Sequence, residues 1–249
     1  MKGFALTLCS LVLLMAVNCA GASENAHAFI EGVKRYGAGD FIDARDSFKA
    51  VADSGIVNGK LYYNIANACF KAGELGRAIL WYERAKKLLP KDPDLAFNLN
   101  YARSFVKDKQ QESSGAIAEI IFFWKDWLSP EDVKWGAIAL NFLFWGILSV
   151  SLFMKNRSVK IPVIVVFIPA LILTLTAFYH AYYSKFIDEA VILPEKVAVR
   201  SGLFPESTEL FILHAGTRIL IEKEREAHYR IYFEKGKIGW IKKSETGII

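Results

Sequence analysis

Six polar side chains fall at spacings suited to holding a peptide. Lys60, Tyr63, Asn64, Asn67 and Lys71 occupy one short stretch, and Asn98 follows about one repeat later. Carboxamides on one helix face bond both donors and acceptors of an extended backbone, and lysines nearby attract a C-terminal carboxylate. Asn is also an ordinary occupant of the helical repeat that carries these positions, so both readings fit the pattern. A second pair, Tyr229 and Trp240, lines either a ligand groove or the core of a small β domain. The residues for catalysis are missing as a set. His27, His180, His214 and His228 are scattered, and there is no Gly-rich phosphate loop or nucleophile elbow. The three cysteines, Cys9, Cys19 and Cys69, form neither a disulfide framework nor a metal set. The chain therefore reads as a non-enzyme with no catalytic residues, no metal and no cofactor. The net charge of +5 is spread over interleaved lysines and acids, with no basic stripe for nucleic acid.

The elements that carry the first six residues repeat. Gly39, Ala44 and Phe48 recur as Gly73, Ala78 and Tyr82, each displaced by 34 residues. A fixed interval of that length marks a helix–turn–helix unit that buries its apolar face only against a copy of itself. The first copy runs from about Glu24 to Gly55 and the second from Asn58 to about Asp92. A third first-helix, PDLAFNLNYARSFVKDK, has no partner after it and reads as a cap, giving a domain over 24–108. Ile65, Ala66, Ala68, Gly73, Ala78, Tyr82, Ala85 and Pro90 resemble the tetratricopeptide repeat. The first copy departs from that pattern at Arg35 and at Ile56, which stands in place of the terminal proline. The resemblance implies a protein-binding scaffold.

Apolar segments set the setting. Residues 1–22 have the form of a signal peptide: Lys2, an apolar run from Phe4 to Val17, then Ala20 and Ala22 spaced for cleavage after Ala22. Cys19 offers the rival of a lipid-modified terminus. Trp135 to Met154 and Ile161 to Ser184 carry no charge, and predict transmembrane helices over 133–154 and 161–184. The second is expected to kink at Pro169. Lys155, Arg157 and Lys160 in the short loop between them place that loop in the cytoplasm, and both flanking domains on the extracytoplasmic side of a bacterial inner membrane. His180 reads as part of an interfacial belt with Tyr179, Tyr182 and Tyr183. Residues 109–130 form a polar linker and an apolar stretch with Trp124 and Trp127, which lies in the outer headgroup layer or packs on the repeat cap.

From 189 to 249 the pattern changes to short β runs: 197–200, 209–213, 217–222, 229–233 and 238–241, separated by turn residues. Five such strands suggest a small barrel. Val199-Arg200-Ser201-Gly202 and Gly239-Trp240-Ile241 resemble the bacterial SH3-like domain, whose members often bind peptidoglycan or peptides.

The expected fold class is thus a multidomain membrane protein, with an all-α tetratricopeptide-type array, two transmembrane helices and a small all-β SH3-like barrel. This order of parts, with Trp127-Leu128-Ser129-Pro130 before the first span, resembles the BatE-like members of the Bat (Bacteroides aerotolerance) set. That resemblance implies von Willebrand A-type membrane proteins as partners and, indirectly, a MoxR-type AAA+ ATPase. It implies a scaffold in an envelope complex linked to stress tolerance or protein assembly. The alternative is a cell-wall tether or envelope sensor acting through the SH3-like domain.

Overall fold

The computed structural model describes residues 23–108, 128–153, 160–186, 188–204 and 206–249. The expected signal peptide, nearly all of the 109–130 linker, and Lys155 and Arg157 of the basic loop lie outside the described residues.

Five helices build the array: α1 (residues 23–38), α2 (Phe41–Asp53), α3 (Gly59–Lys71), α4 (Leu75–Leu88) and α5 (Pro93–Arg103). Their ends follow local chemistry. Asn58 caps α3 by accepting the N–H groups of Lys60 and Leu61, and Asp92 caps α5 by accepting that of Leu95, with Pro93 opening the helix. Gly39 and Gly73 take φ +89° and +80° between the helices of each pair, the left-handed conformation a side chain resists. The residues that recur in the sequence meet in the core: Ala44 and Ala78 are fully buried, and Phe48 and Tyr82 nearly so.

Two long helices follow, α6 (Pro130–Phe153) and α7 (Lys160–Phe186). Each is long and apolar enough to cross a membrane, over Glu131–Leu152 and Pro162–Tyr179. They pack on one another as a hairpin. The Asn141 amide donates to Thr174 Oγ1 at 2.8 Å, and Phe144 meets Phe167 at 5.3 Å between ring centres. Phe142, Leu152 and Phe178 point outward, exposed. Pro169 lies inside α7, which runs on through it.

The C-terminal region is an antiparallel sheet of β1 (Asp188–Ile192), β2 (Lys196–Arg200), β3 (Glu209–His214), β4 (Arg218–Arg225), β5 (His228–Phe233), β6 (Lys237–Lys242) and β7 (Thr246–Ile248). Its order is β3-β2-β6-β5-β4-β1-β7, so β3 and β7 are edges. The expected closed barrel of five strands is therefore corrected to an open sheet of seven. The sequence reading omitted β1 and β7. β1 lacks alternation because it serves two cores. Ala190 and Ile192 face the sheet interior, whereas Val191 enters the core of the helical array. β7 is only three residues long, and it pairs with β1 rather than closing the sheet.

Val191 marks the main tertiary feature. The sheet docks on α4, and three glycines permit the approach. A Cβ at Gly76 would meet the carbonyl oxygens of Ile192 and Leu193 at 2.5 Å. One at Gly216 would strike Ile79, and one at Gly247 would strike Leu80. Arg84 donates to the Ile248 carbonyl at 2.6 and 3.0 Å, and Lys87 to that of Ile249 at 2.9 Å. At the other end of the seam, the Asp108 carboxylate accepts the Thr217 hydroxyl at 2.7 Å and sits 2.9 Å from His214 Nδ1. Burial alone would raise the pKa of Asp108, but hydrogen bonds from Thr217 and His214 outweigh it and hold the carboxyl below its usual range. Glu83, 5% exposed, bonds Arg103 at 2.5 Å and lies 3.9 Å from Arg218, which in turn pairs with Glu189 at 2.8 Å.

Candidate functional site

With α4 covered by the sheet, the first helices α1, α3 and α5 supply the open face of the array. Three side chains on it and one from behind form a chain of hydrogen bonds. Tyr82, from α4 behind, donates to Asn67 Oδ1 at 2.6 Å. Asn98 Nδ2 donates to the same oxygen at 3.2 Å and to the Tyr63 hydroxyl at 2.7 Å. The Asn67 oxygen thus has two donors, which fixes its rotamer and turns its NH2 group outward from the network. Burial drives the Tyr82 phenol pKa strongly upward, so it stays a protonated donor.

Asn64 sits one helical turn before Asn67 on the same face of α3. Both amides border a recess of about 130 Å³ whose other walls are Val33 and Tyr36 of α1 and Phe48 of α2. Phe48 forms the floor at 2% exposed, while Val33 is half open. Gly32 allows α1 to settle this close, since a Cβ there would meet the Phe48 ring at 2.6 Å. Tyr36 is held edge-on against Phe41, with ring centres 5.3 Å apart.

The lysines behave differently from the amides. Lys60 forms an ion pair with Asp92, the cap of α5, and the hydrogen bond from Lys60 holds the Asp92 carboxyl below its usual range. Lys60 thus secures α3 to the start of α5. Lys71 lies exposed in the last turn of α3. Of the six residues expected at the groove, Tyr63, Asn67 and Asn98 are joined directly, Asn64 shares the recess with Asn67, Lys60 Nζ lies 5.8 Å from the Tyr63 ring centre, and Lys71 stands apart from that cluster.

An aromatic wall escaped the sequence reading. Phe97, Tyr101 and Phe105 recur every fourth residue along one side of α5 and its C-terminal turn, at 71%, 52% and 52% exposure. Phe70 of α3 joins them, 5.7 Å from Tyr101 and 5.8 Å from Phe105. The i, i+4, i+8 spacing is visible in the sequence, but the expectation of a cap gives the apolar residues of α5 to covering the stack. Leu95, Leu99 and Ala102 do that work, leaving the other apolar row exposed among the described residues.

In the sheet, Tyr229 is buried among Val197, Ile231 and Ile241, with Lys243 Nζ 5.4 Å from its ring centre. Trp240 is half-buried on β6, opposite Arg200 of β2 and Arg230 of β5. The described residues contain no group of acids, histidines or cysteines able to hold a metal.

A family model described as the tetratricopeptide repeat matches residues 59–92, which are α3, α4 and the turn after them. The match covers the second helical pair, and its first helix carries Tyr63, Asn64 and Asn67. No curated protein matches this chain.

Proposed function

We propose that this chain is a non-catalytic scaffold whose helical repeats hold a segment of a partner protein beside a membrane. The tetratricopeptide repeat is an interaction module, and here its open face is preorganised. The observation that carries the reading is the Tyr82–Asn67–Asn98–Tyr63 hydrogen-bond chain beside the uncovered wall of Phe97, Tyr101 and Phe105. An exposed apolar patch next to fixed polar groups is the arrangement of a protein-binding surface.

The α6–α7 hairpin would anchor the scaffold in the bacterial inner membrane. The contacts between α4 and the sheet support a single side for both soluble parts. Arg84 and Ile248 bond directly across 164 residues of chain, so whatever crosses the membrane between them crosses an even number of times. The basic loop of the hairpin then points to the cytoplasm and the soluble parts to the extracytoplasmic side. A membrane-impermeant thiol reagent would label Lys71→Cys and not Asn156→Cys in cells with a permeabilised outer membrane; the reverse pattern overturns the orientation.

The partners would be von Willebrand A-type proteins of a Bat-like envelope complex, with a MoxR-type ATPase reached through them. The test is co-purification of the full chain with such a protein encoded nearby. Replacing Phe97 and Tyr101 by Glu should reduce recovery at least tenfold with the α-helical spectrum retained. Undiminished recovery removes the groove reading.

A further inference from the structure

We propose that the turn before α3 and the end of α4 form a lipid-contacting edge of the array, with Ile56, Val57 and Leu88 set into the headgroup layer of the membrane that α6 and α7 cross. The inference rests on the hairpin reading above and adds which end of the soluble body meets the bilayer.

Chain connectivity gives the first part. α7 runs on past Tyr179, the end of its most apolar stretch, through residues 180–186, a rise of about 10 Å. The headgroup region adds roughly 5–8 Å to each side of the hydrocarbon core. Only Ile187 separates Phe186 from Asp188, so β1 starts within about 8 Å of the helix end. With the span seated in a bilayer, β1 begins at the outer limit of the headgroups.

The seam carries that level into the array. α4 runs antiparallel to β1. At one end Gly76 lies against Ile192 and Leu193. At the other end Ile249 joins the two elements: its N–H donates to the Glu189 carbonyl at 2.9 Å, and its carbonyl accepts Lys87 Nζ at 2.9 Å. The C-terminal end of α4 thus stands level with the start of β1. The α2–α3 turn is beside it, since a Cβ on Gly59 would meet Leu89 Cγ at 2.5 Å and Leu88 Cβ at 3.2 Å.

The side chains at that level are aliphatic and basic. Val57 precedes the Asn58 cap, where an apolar residue ordinarily folds back onto its own helix, yet it is 69% exposed. Ile56 and Leu88 are 38% and 41% exposed. Lys49 pairs with Asp53 and Lys60 with Asp92. Among the described residues this leaves Lys86, Lys87 and Lys91 outside any ion pair, with Asp94 and Asp188 the acids left at the same end. Aliphatic side chains on a turn sink to the boundary of headgroups and acyl chains, and lysine stems follow them while keeping the ammonium among the phosphates.

The test uses the full chain carrying Cys9→Ser and Cys19→Ser, in nanodiscs of mixed phosphatidylcholine and phosphatidylglycerol. Cys69 stays, since it is buried. An environment-sensitive dye is placed in turn on Val57→Cys, on Lys71→Cys about 18 Å along α3 from Gly59, and on Phe142→Cys in the hairpin. Lipid with a headgroup nitroxide should quench the dye at position 57 at least threefold more than the dye at 71. Lipid with a mid-chain nitroxide should quench the dye at 142, which reports the hairpin itself. Lys86→Glu together with Lys91→Glu should cut the quenching at 57 at least twofold with the helical spectrum unchanged. Quenching at 142 with equal quenching at 57 and 71 overturns the lipid-contacting edge and leaves the hairpin standing. No quenching at 142 overturns the hairpin and the edge with it. Shielding at 57 that rises with protein concentration in lipid-free detergent gives the edge to a second copy and overturns the lipid contact.

Discussion

The carboxylate of Asp108 accepts the backbone N–H of His214 at 2.6 Å, tying the end of the repeat domain to the end of β3. The same carboxylate takes the Thr217 hydroxyl and meets His214 Nδ1, so one side chain serves three groups from a sheet that begins 80 residues later in the chain (188 against 108). Removing it as Asp108→Ala leaves those donors unmet at a part-buried seam, at a cost of about 1–3 kcal/mol. Hydrogen exchange should accelerate at residues 214–217 before it does in α3. The effect depends on pH with a definite sign. The Asp108 pKa is lowered from 3.8 in the folded state, so its contribution is present above that value and is lost as pH falls through the folded pKa. The stability difference between the parent and Asp108→Ala should therefore shrink on acidification below pH 3.8.

Gly76 should be nearly intolerant of a methyl group. Alanine is a better helix former than glycine, and in an isolated helix the change would stabilise by about 1 kcal/mol. Here the added carbon meets two backbone carbonyls, those of Ile192 and Leu193, which have no rotamer with which to yield. Gly76→Ala should lower stability by about 1–3 kcal/mol. Limited proteolysis should then cut between Pro194 and Glu195 while the helical spectrum persists. Unchanged cleavage would mean that α4 and β1 part without cost.

Cys69 should ignore thiol reagents in the folded protein. It is fully buried on α3, and burial pushes its thiol up to about 12. Near pH 8 the reactive thiolate is then scarce as well as shielded. Modification should occur only on unfolding, with a rate that follows denaturant. Because the thiol of the unfolded chain ionises first, Cys69 also predicts stability that is full below about pH 8.5 and declines as pH rises above it. Cys69→Ala should remove that alkaline decline.

Within the hairpin, Asn141→Leu removes the bond to Thr174 while improving apolar match. In a bilayer such a bond contributes about 0.6 kcal/mol on average and rarely more than about 1.7. The variant should loosen α6 against α7 by no more than that amount, measured by cysteine cross-linking between positions 136 and 173, where the two helices touch. A larger loss would show that Asn141 holds more than the helix pair.

The array was readable because its constraints are local and doubled. Gly39 and Gly73 sit at positive φ, Ala44 and Ala78 are buried, and each pair announces the other at one interval. The docking of the sheet had only an indirect trace. In α4, Ala78 through Glu83 are all buried, six in succession, where a helix with one buried stripe would expose at least one of them. The sequence AILWYE shows that density, but nothing in it names the covering surface, which is β1 and β7 from the far end of the chain. Val191 misled for the same reason, because a strand serving two cores loses its alternation. At the groove, the amides were found from residue type and helical spacing. The pairing of Lys60 with Asp92 was not, since it depends on how α5 lies across α3.

The bonds from Arg84 and Lys87 to the last two residues also impose an order of events at the ribosome. The partners are separated by 164 and 162 residues, which at roughly 5–20 residues per second means a delay on the order of 10–30 s. Throughout that wait Leu80 has been synthesised and lacks the β7 backbone at Gly247 that packs on it. A nascent chain stalled before Thr246 would leave Leu80 without the β7 backbone at Gly247, after the rest of the helical array has been made.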